Sequence, residues 1–129
     1  MMDLALLVLR ICLAVVFLGH GLQAAFGIFG GPGINGFSQM LAGLGFKPAL
    51  FWAYIGAYTE LISGLLLLVG LFTRLAAALI LIFMLVAALT VHVSKGFFIQ
   101  SGGFEYNFVL SCVSIALIML GAGKFRLRR

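Results

Sequence analysis

The chain has 129 residues, of which 64% are hydrophobic and only 9% charged, and its mean hydropathy is +1.28. So few charges cannot coat a water-soluble surface of this size, which excludes a soluble domain and leaves a single-domain integral membrane protein. The formal net charge is +5, but the basic residues stand near segment ends and form no stripe, so they read as topology signals and lipid-headgroup contacts, not as a nucleic-acid surface.

The first expected span covers residues 4–26. A cleaved signal peptide is the competing reading, but Met1-Met2-Asp3 lacks a basic leader and Arg10 interrupts the apolar run. On a helix, Arg10, Ala14, Phe17, Gly21 and Ala24 share one stripe, with His20 on its flank. Arg10 has two readings: it snorkels to the headgroups, or it pairs with an acid inside the bundle. His20 is a hydrogen-bonder satisfied locally, or it handles a ligand or proton.

Residues 27–48 do not span. FGIFGGPGING reads as tight turns, and it lacks the Gly-Lys-Ser/Thr ending of a phosphate cradle. Phe37, Met40, Leu41 and Leu44 then recur at helical spacing, predicting a short amphipathic helix that lies on the membrane surface and lids the bundle. Pro48 suits the start of the next helix.

The second span, residues 49–71, carries one formal charge, Glu60, near its middle. An ionised carboxylate at that depth costs at least about 2.5 to 3.5 kcal/mol. Ala53, Gly56, Glu60, Ser63 and Gly64 share a face of small residues on which another helix can approach closely. Arg10 is the expected ion-pair partner of Glu60, with His20 the alternative.

A turn at Phe72-Thr73-Arg74 leads to the third span, residues 75–93. Here Ala77, Ala78, Leu81, Leu85 and Ala88 are expected to share a face with His92 near its end. A second glycine-rich connection, SKGFFIQSGG, precedes the fourth span, residues 104–121. Glu105 in its first turn suits a helix N-terminus, and Asn107, Ser111 and Ser114 form a polar stripe. The chain ends in a basic amphipathic tail, KFRLRR. Cys12 and Cys112 lie in apolar segments with no CxxC or Cys/His cluster, so no metal site is expected; they read as buried packing residues or, less easily, a redox pair.

The expected architecture is therefore all-α: an up-down bundle of four membrane helices with an interfacial helix in the first loop. Positive-inside counting, with Arg74, Lys124, Arg126, Arg128 and Arg129 on one side, puts both termini in the cytoplasm of a bacterial inner-membrane protein. His20, His92 and Glu105 then fall toward the outer face, with Glu60 at mid-membrane. These four polar groups from four helices are expected to line one outer-leaflet pocket, a ladder suited to an amphipathic ligand.

The chain resembles the DoxX family of small bacterial membrane proteins. The resemblance is carried by His20-Gly21, Phe26-Gly27, Phe29-Gly30-Gly31 with Gly33, Glu60 with Gly64, Gly70 with Thr73-Arg74, and Met84. It continues through His92, Gly96-Phe97, Gly102-Gly103 with Glu105-Tyr106, and Gly121 with Gly123. The sequence departs from that family at Gln23, where lysine is common, at Ser63-Gly64, where a double glycine is common, and in its basic tail. The resemblance implies association with quinone-linked redox systems and with redox or thiol stress. It suggests an accessory subunit that docks a redox partner protein and binds a quinone-like small molecule. The alternative is a small-molecule or proton carrier; a purely structural membrane protein is a third reading. No haem, flavin or iron–sulfur signature is present in the sequence, no nucleophile–base pair is spaced for a free-standing enzyme, and a homo-oligomer is left open.

Overall fold

The computed structural model describes residues 1–125, the side chain of Val93 excepted; the tail residues Arg126, Arg128 and Arg129 lie outside the described residues. Those described form an all-α chain with no strand. Helices α1 (Met2–Phe26), α2 (Gly33–Gly43), α3 (Ala49–Val69), α4 (Thr73–Ala87) and α5 (Glu105–Leu120) follow one another. A π-helical turn, Ala88–His92, extends α4. Among the described residues three stretches are long and apolar enough to cross a membrane: Met2–Phe26, Ala49–Val69 and Thr73–His92. Helix α5 has 16 residues, about 24 Å at ~1.5 Å per residue, a little short of a ~30 Å hydrocarbon core. These apolar helices make the chain an integral membrane protein, with lipid as the surroundings of its outward faces.

Helix α1 packs on α3, α3 on α4, α4 on α5, and α5 back on α1. The α1–α3 seam is built from small residues on both helices. A Cβ at Gly21 would stand 3.0 Å from the Leu61 backbone nitrogen, and one at Gly64 would stand 3.1 Å from that of Leu18. The backbones approach this closely because nothing larger than hydrogen intervenes. The expected stripe of α1 is the buried one, with Arg10, Ala14, Phe17, Gly21 and Ala24 all inside. In α3, Ala53, Glu60, Ser63 and Gly64 are buried together with Ala57 and Leu67.

The main core joins Leu13, Phe17, Leu67, Ala77, Ile80 and Leu117 from all four long helices. A second, smaller cluster forms where α2 folds over α1 and α3, with Phe37 and Leu41 seated on Ala24, Ala53 and Ala57. Met40, by contrast, is half exposed. Helix α2 is thus a lid on one end of the α1–α3 pair.

Helix α4 corrects the expected face. The buried residues are Thr73, Ala76, Ala77, Ile80 and Met84, while Leu85 is exposed. This segment is apolar all round, so its sequence has no polar side to mark the outward direction. Cys12 and Cys112 are a second correction, because both are exposed free thiols on the outer faces of the helices and not buried packing groups.

Candidate functional site: a groove at His20 and Tyr106

His20 lies near the end of α1 and Tyr106 in the first turn of α5, and the packing of those helices brings their rings to a centroid separation of 6.3 Å. Together with Val16, Gly19, Gln23 and Phe29 they line a groove of about 290 Å³. Gly19 forms an open stretch of its floor, with nothing within 4 Å of the place a Cβ would occupy. The glycine-rich loop after α1 makes the rim. Gln23 donates from Nε2 to the Phe29 carbonyl at 3.1 Å. Gly31 is pressed so close to α1 that a Cβ there would stand 2.5 Å from the Gln23 Cα. The Phe-Gly-Gly run is therefore needed for the loop to fold down on the helix.

Glu60, in the middle of α3, is only 5% exposed. Among the described residues its carboxylate makes no hydrogen bond or ion pair, and the Tyr106 phenol is its electrostatic neighbour. Tyr106 thus has the exposed imidazole of His20 as its ring neighbour and feels the charge of the buried Glu60. In the sequence Tyr106 is overshadowed by the charge next to it, Glu105; the signal for it is the Glu105-Tyr106 pair among the resembling motifs.

The other expected site residues are engaged elsewhere. His92 pairs through Nδ1 with the Gly102 carbonyl at 2.7 Å, and Glu105 accepts from the Ile99 N–H at 3.0 Å. Both bonds pin the 93–104 connection, which is also closed by Phe104 N–H to the Gly96 carbonyl and Glu105 N–H to the Phe97 carbonyl. Within this connection Phe97 packs edge-on against Phe98 and Phe104. Of the four expected ladder residues, the groove holds His20; Glu60 is buried and is not part of its lining. His92 and Glu105 hold the neighbouring loop.

Arg10 does not pair with Glu60. It is 1% exposed, so it does not snorkel either. Its Nε donates to the Leu67 carbonyl at 3.0 Å and its Nη2 to the Leu68 carbonyl at 3.4 Å. Nη1 reaches the Ala122 carbonyl at 2.9 Å and the Phe125 carbonyl. The guanidinium therefore caps the C-terminal end of α3, where carbonyls lack intrahelical partners, and ties the segment after α5 to it. A fork of five fixed donors suits four carbonyls in a way that an ammonium does not. Among the described residues there is no cluster of three or more His, Cys, Asp or Glu placed to hold a metal ion.

Comparison with known proteins adds the identity of the fold's owner. A family model described as DoxX matches residues 5–93, the part of the chain that holds His20, Glu60 and His92. The Bacillus subtilis (strain 168) protein named "Putative oxidoreductase CatD" is 30% identical over 120 residues, which cover 93% of this chain and 81% of that protein. No solved structure matches the chain. The long family match and the similar relative together show that this chain belongs to the DoxX family.

Proposed function

We propose that the protein is an accessory subunit of a bacterial inner-membrane redox system, crossing the membrane four times with both termini in the cytoplasm. Its groove at His20 and Tyr106 binds a quinone-like molecule, and a partner protein supplies the electrons. The observation that carries this reading is the groove itself, which sets two polar rings against apolar walls. The residues fit such a headgroup: the Tyr106 hydroxyl and the His20 imidazole can each donate a hydrogen bond to a ring carbonyl. Val16, Phe29 and the bare backbone at Gly19 offer a flat apolar seat for the ring. A quinone, when bound, supplies carbonyls that take up protons as the ring is reduced. Tyr106 is placed to hold a proton between Glu60 and the groove, and His20 to exchange one with the surface. The relative's name, which contains the word oxidoreductase, supports a redox setting.

The test is retention of ligand. Gently purified wild-type protein should carry a quinone detectable by mass spectrometry of its lipid extract. The His20→Ala, Tyr106→Phe double variant should lose about tenfold or more of it, the scale of two hydrogen bonds at roughly 0.5 to 1.5 kcal/mol each. Equal quinone in both proteins, or none in either, contradicts the reading.

One observation favours a second reading, a proton or small-molecule carrier: Glu60 is buried at mid-helix with no hydrogen bond among the described residues, as groups on transport paths are. Proton flux in proteoliposomes that Glu60→Gln abolishes would select it over the first.

The orientation has its own check. In a Cys12→Ala, Cys112→Ala background, Met2→Cys and Gln100→Cys, both exposed positions, should label from opposite sides of the membrane, with Met2→Cys reached only from the cytoplasm. Labelling of both from one side contradicts the four-span arrangement.

A further inference from the structure

A cavity lies at the other end of the bundle, where α4 begins and α5 ends, and it plays no part in the redox reading. Its volume is about 580 Å³, and its lining includes Asp3, Thr73, Arg74, Leu75, Gly121 and Lys124. We propose that it is a binding site for a phosphate group, carried either by a phospholipid headgroup or by a soluble phosphate compound.

Four features converge on an oxyanion. The first intrahelical bond of α4 runs from the Ala76 N–H to the Phe72 carbonyl at 2.9 Å. The N–H groups of Thr73, Arg74 and Leu75 therefore precede it, at the positive end of a long helix. Thr73 is only 4% exposed, and its hydroxyl has no hydrogen-bond partner among the described residues. A buried hydroxyl left without a partner costs free energy unless something else bonds it. The Arg74 guanidinium lies flat against Gly121, where a Cβ would stand 3.3 to 3.4 Å from its Nη2, Cζ and Nε. No ion pair with an acid holds it among the described residues. Gly121 itself has φ 79° and ψ −163°, a conformation open essentially to glycine alone, so the backbone there is shaped to receive the guanidinium. Lys124, the fourth feature, adds a second exposed cation.

Asp3 is the one opposing charge on the wall. Its Oδ1 is already engaged by the Lys124 N–H at 2.9 Å, so its role there is to fix the segment after α5. Two cations and a helix N-terminus outweigh it. A tetrahedral phosphate, with several oxygens for a fork of N–H donors, a hydroxyl and an ammonium, matches this set better than a single carboxylate does.

The experiment is thermal unfolding of delipidated protein in detergent, with dioctanoyl phosphatidylglycerol in one arm and inorganic phosphate in the other. Stabilisation by the lipid alone assigns the site to a headgroup; stabilisation by inorganic phosphate assigns it to a soluble compound. In either arm, Arg74→Gln should raise the half-maximal concentration about tenfold or more, the scale of a lost charge-assisted hydrogen bond. Thr73→Val, which keeps the side-chain shape, and Lys124→Gln, at an exposed position, should weaken the response in the same direction. They decide the matter even if Arg74→Gln does not fold. No stabilisation in either arm, or equal stabilisation of the wild type and the folded variants, overturns the proposal.

Discussion

Replacing Arg10 by leucine should destabilise the protein by about 3 to 5 kcal/mol, and a second change at Glu60 should not restore the loss. The guanidinium makes its hydrogen bonds to carbonyls at the end of α3 and beyond the end of α5. Hydrogen bonds to a charged group contribute roughly 1.5 to 3 kcal/mol each, and buried acceptors left unpaired add to the loss. Had Arg10 paired with Glu60, removing both would have spared the cost of one stranded charge. As the two side chains serve different partners, the Arg10→Leu and Glu60→Leu effects should add to within about 0.5 kcal/mol in denaturant or thermal unfolding. Arg10→Lys should recover only part of the stability, because an ammonium cannot reproduce the planar fork. A double variant markedly more stable than the sum of the two single effects would show that the ion pair exists after all.

Gly64→Val should also cost heavily, about 2 to 3 kcal/mol, by forcing α1 away from α3. The first carbon added at Gly64 would already stand 2.9 Å from the Leu18 Cγ and 3.3 Å from the Ala14 carbonyl oxygen. The Leu18 side chain can turn aside, but the backbone of α1 cannot. Gly43 in α2 supplies the control, since nothing lies within 4 Å of its Cβ position. Gly43→Ala should be neutral or stabilising by up to about 1 kcal/mol, the ordinary preference of a helix for alanine. Unfolding that treats the two substitutions alike would contradict the close approach of α1 and α3.

What the sequence revealed about the fold depended on contrast. Helix α1 carries one arginine and a line of small residues, and α3 carries one acid and a line of small residues. Against a uniformly apolar background these lines mark the inward face, and both are buried in the structure. The α2 lid was legible for the same reason, because Phe37 and Leu41 alternate with polar positions and pack inward. Helix α4 has no such contrast, and its inward face was misplaced: lipid accepts leucine as readily as the core does. The site was legible in part. His20 and Glu60 stood out because polar groups are costly in the membrane, whereas Tyr106 did not, since a tyrosine near a helix end is ordinary at a membrane interface. The partners of Arg10 were out of reach because they are backbone carbonyls 57 and more residues away, and a carbonyl carries no residue-type signal. His92 and Glu105 were expected to line the same pocket; their bonds to Gly102 and Ile99 instead follow from the fold of a loop whose path periodicity does not encode.

A quinone-like ring seated between His20 and Tyr106 would be caught by photolabelling. A photoactivatable quinone analogue should be cross-linked to the protein in membranes, and the attachment points read by peptide mass spectrometry. Labels are expected on Val16 to Gln23 and at Tyr106, competed by unlabelled quinone and lost in the His20→Ala, Tyr106→Phe variant. Labels at the opposite end of the bundle around Arg74 and Lys124, or scattered without competition along the lipid-facing residues, would contradict it.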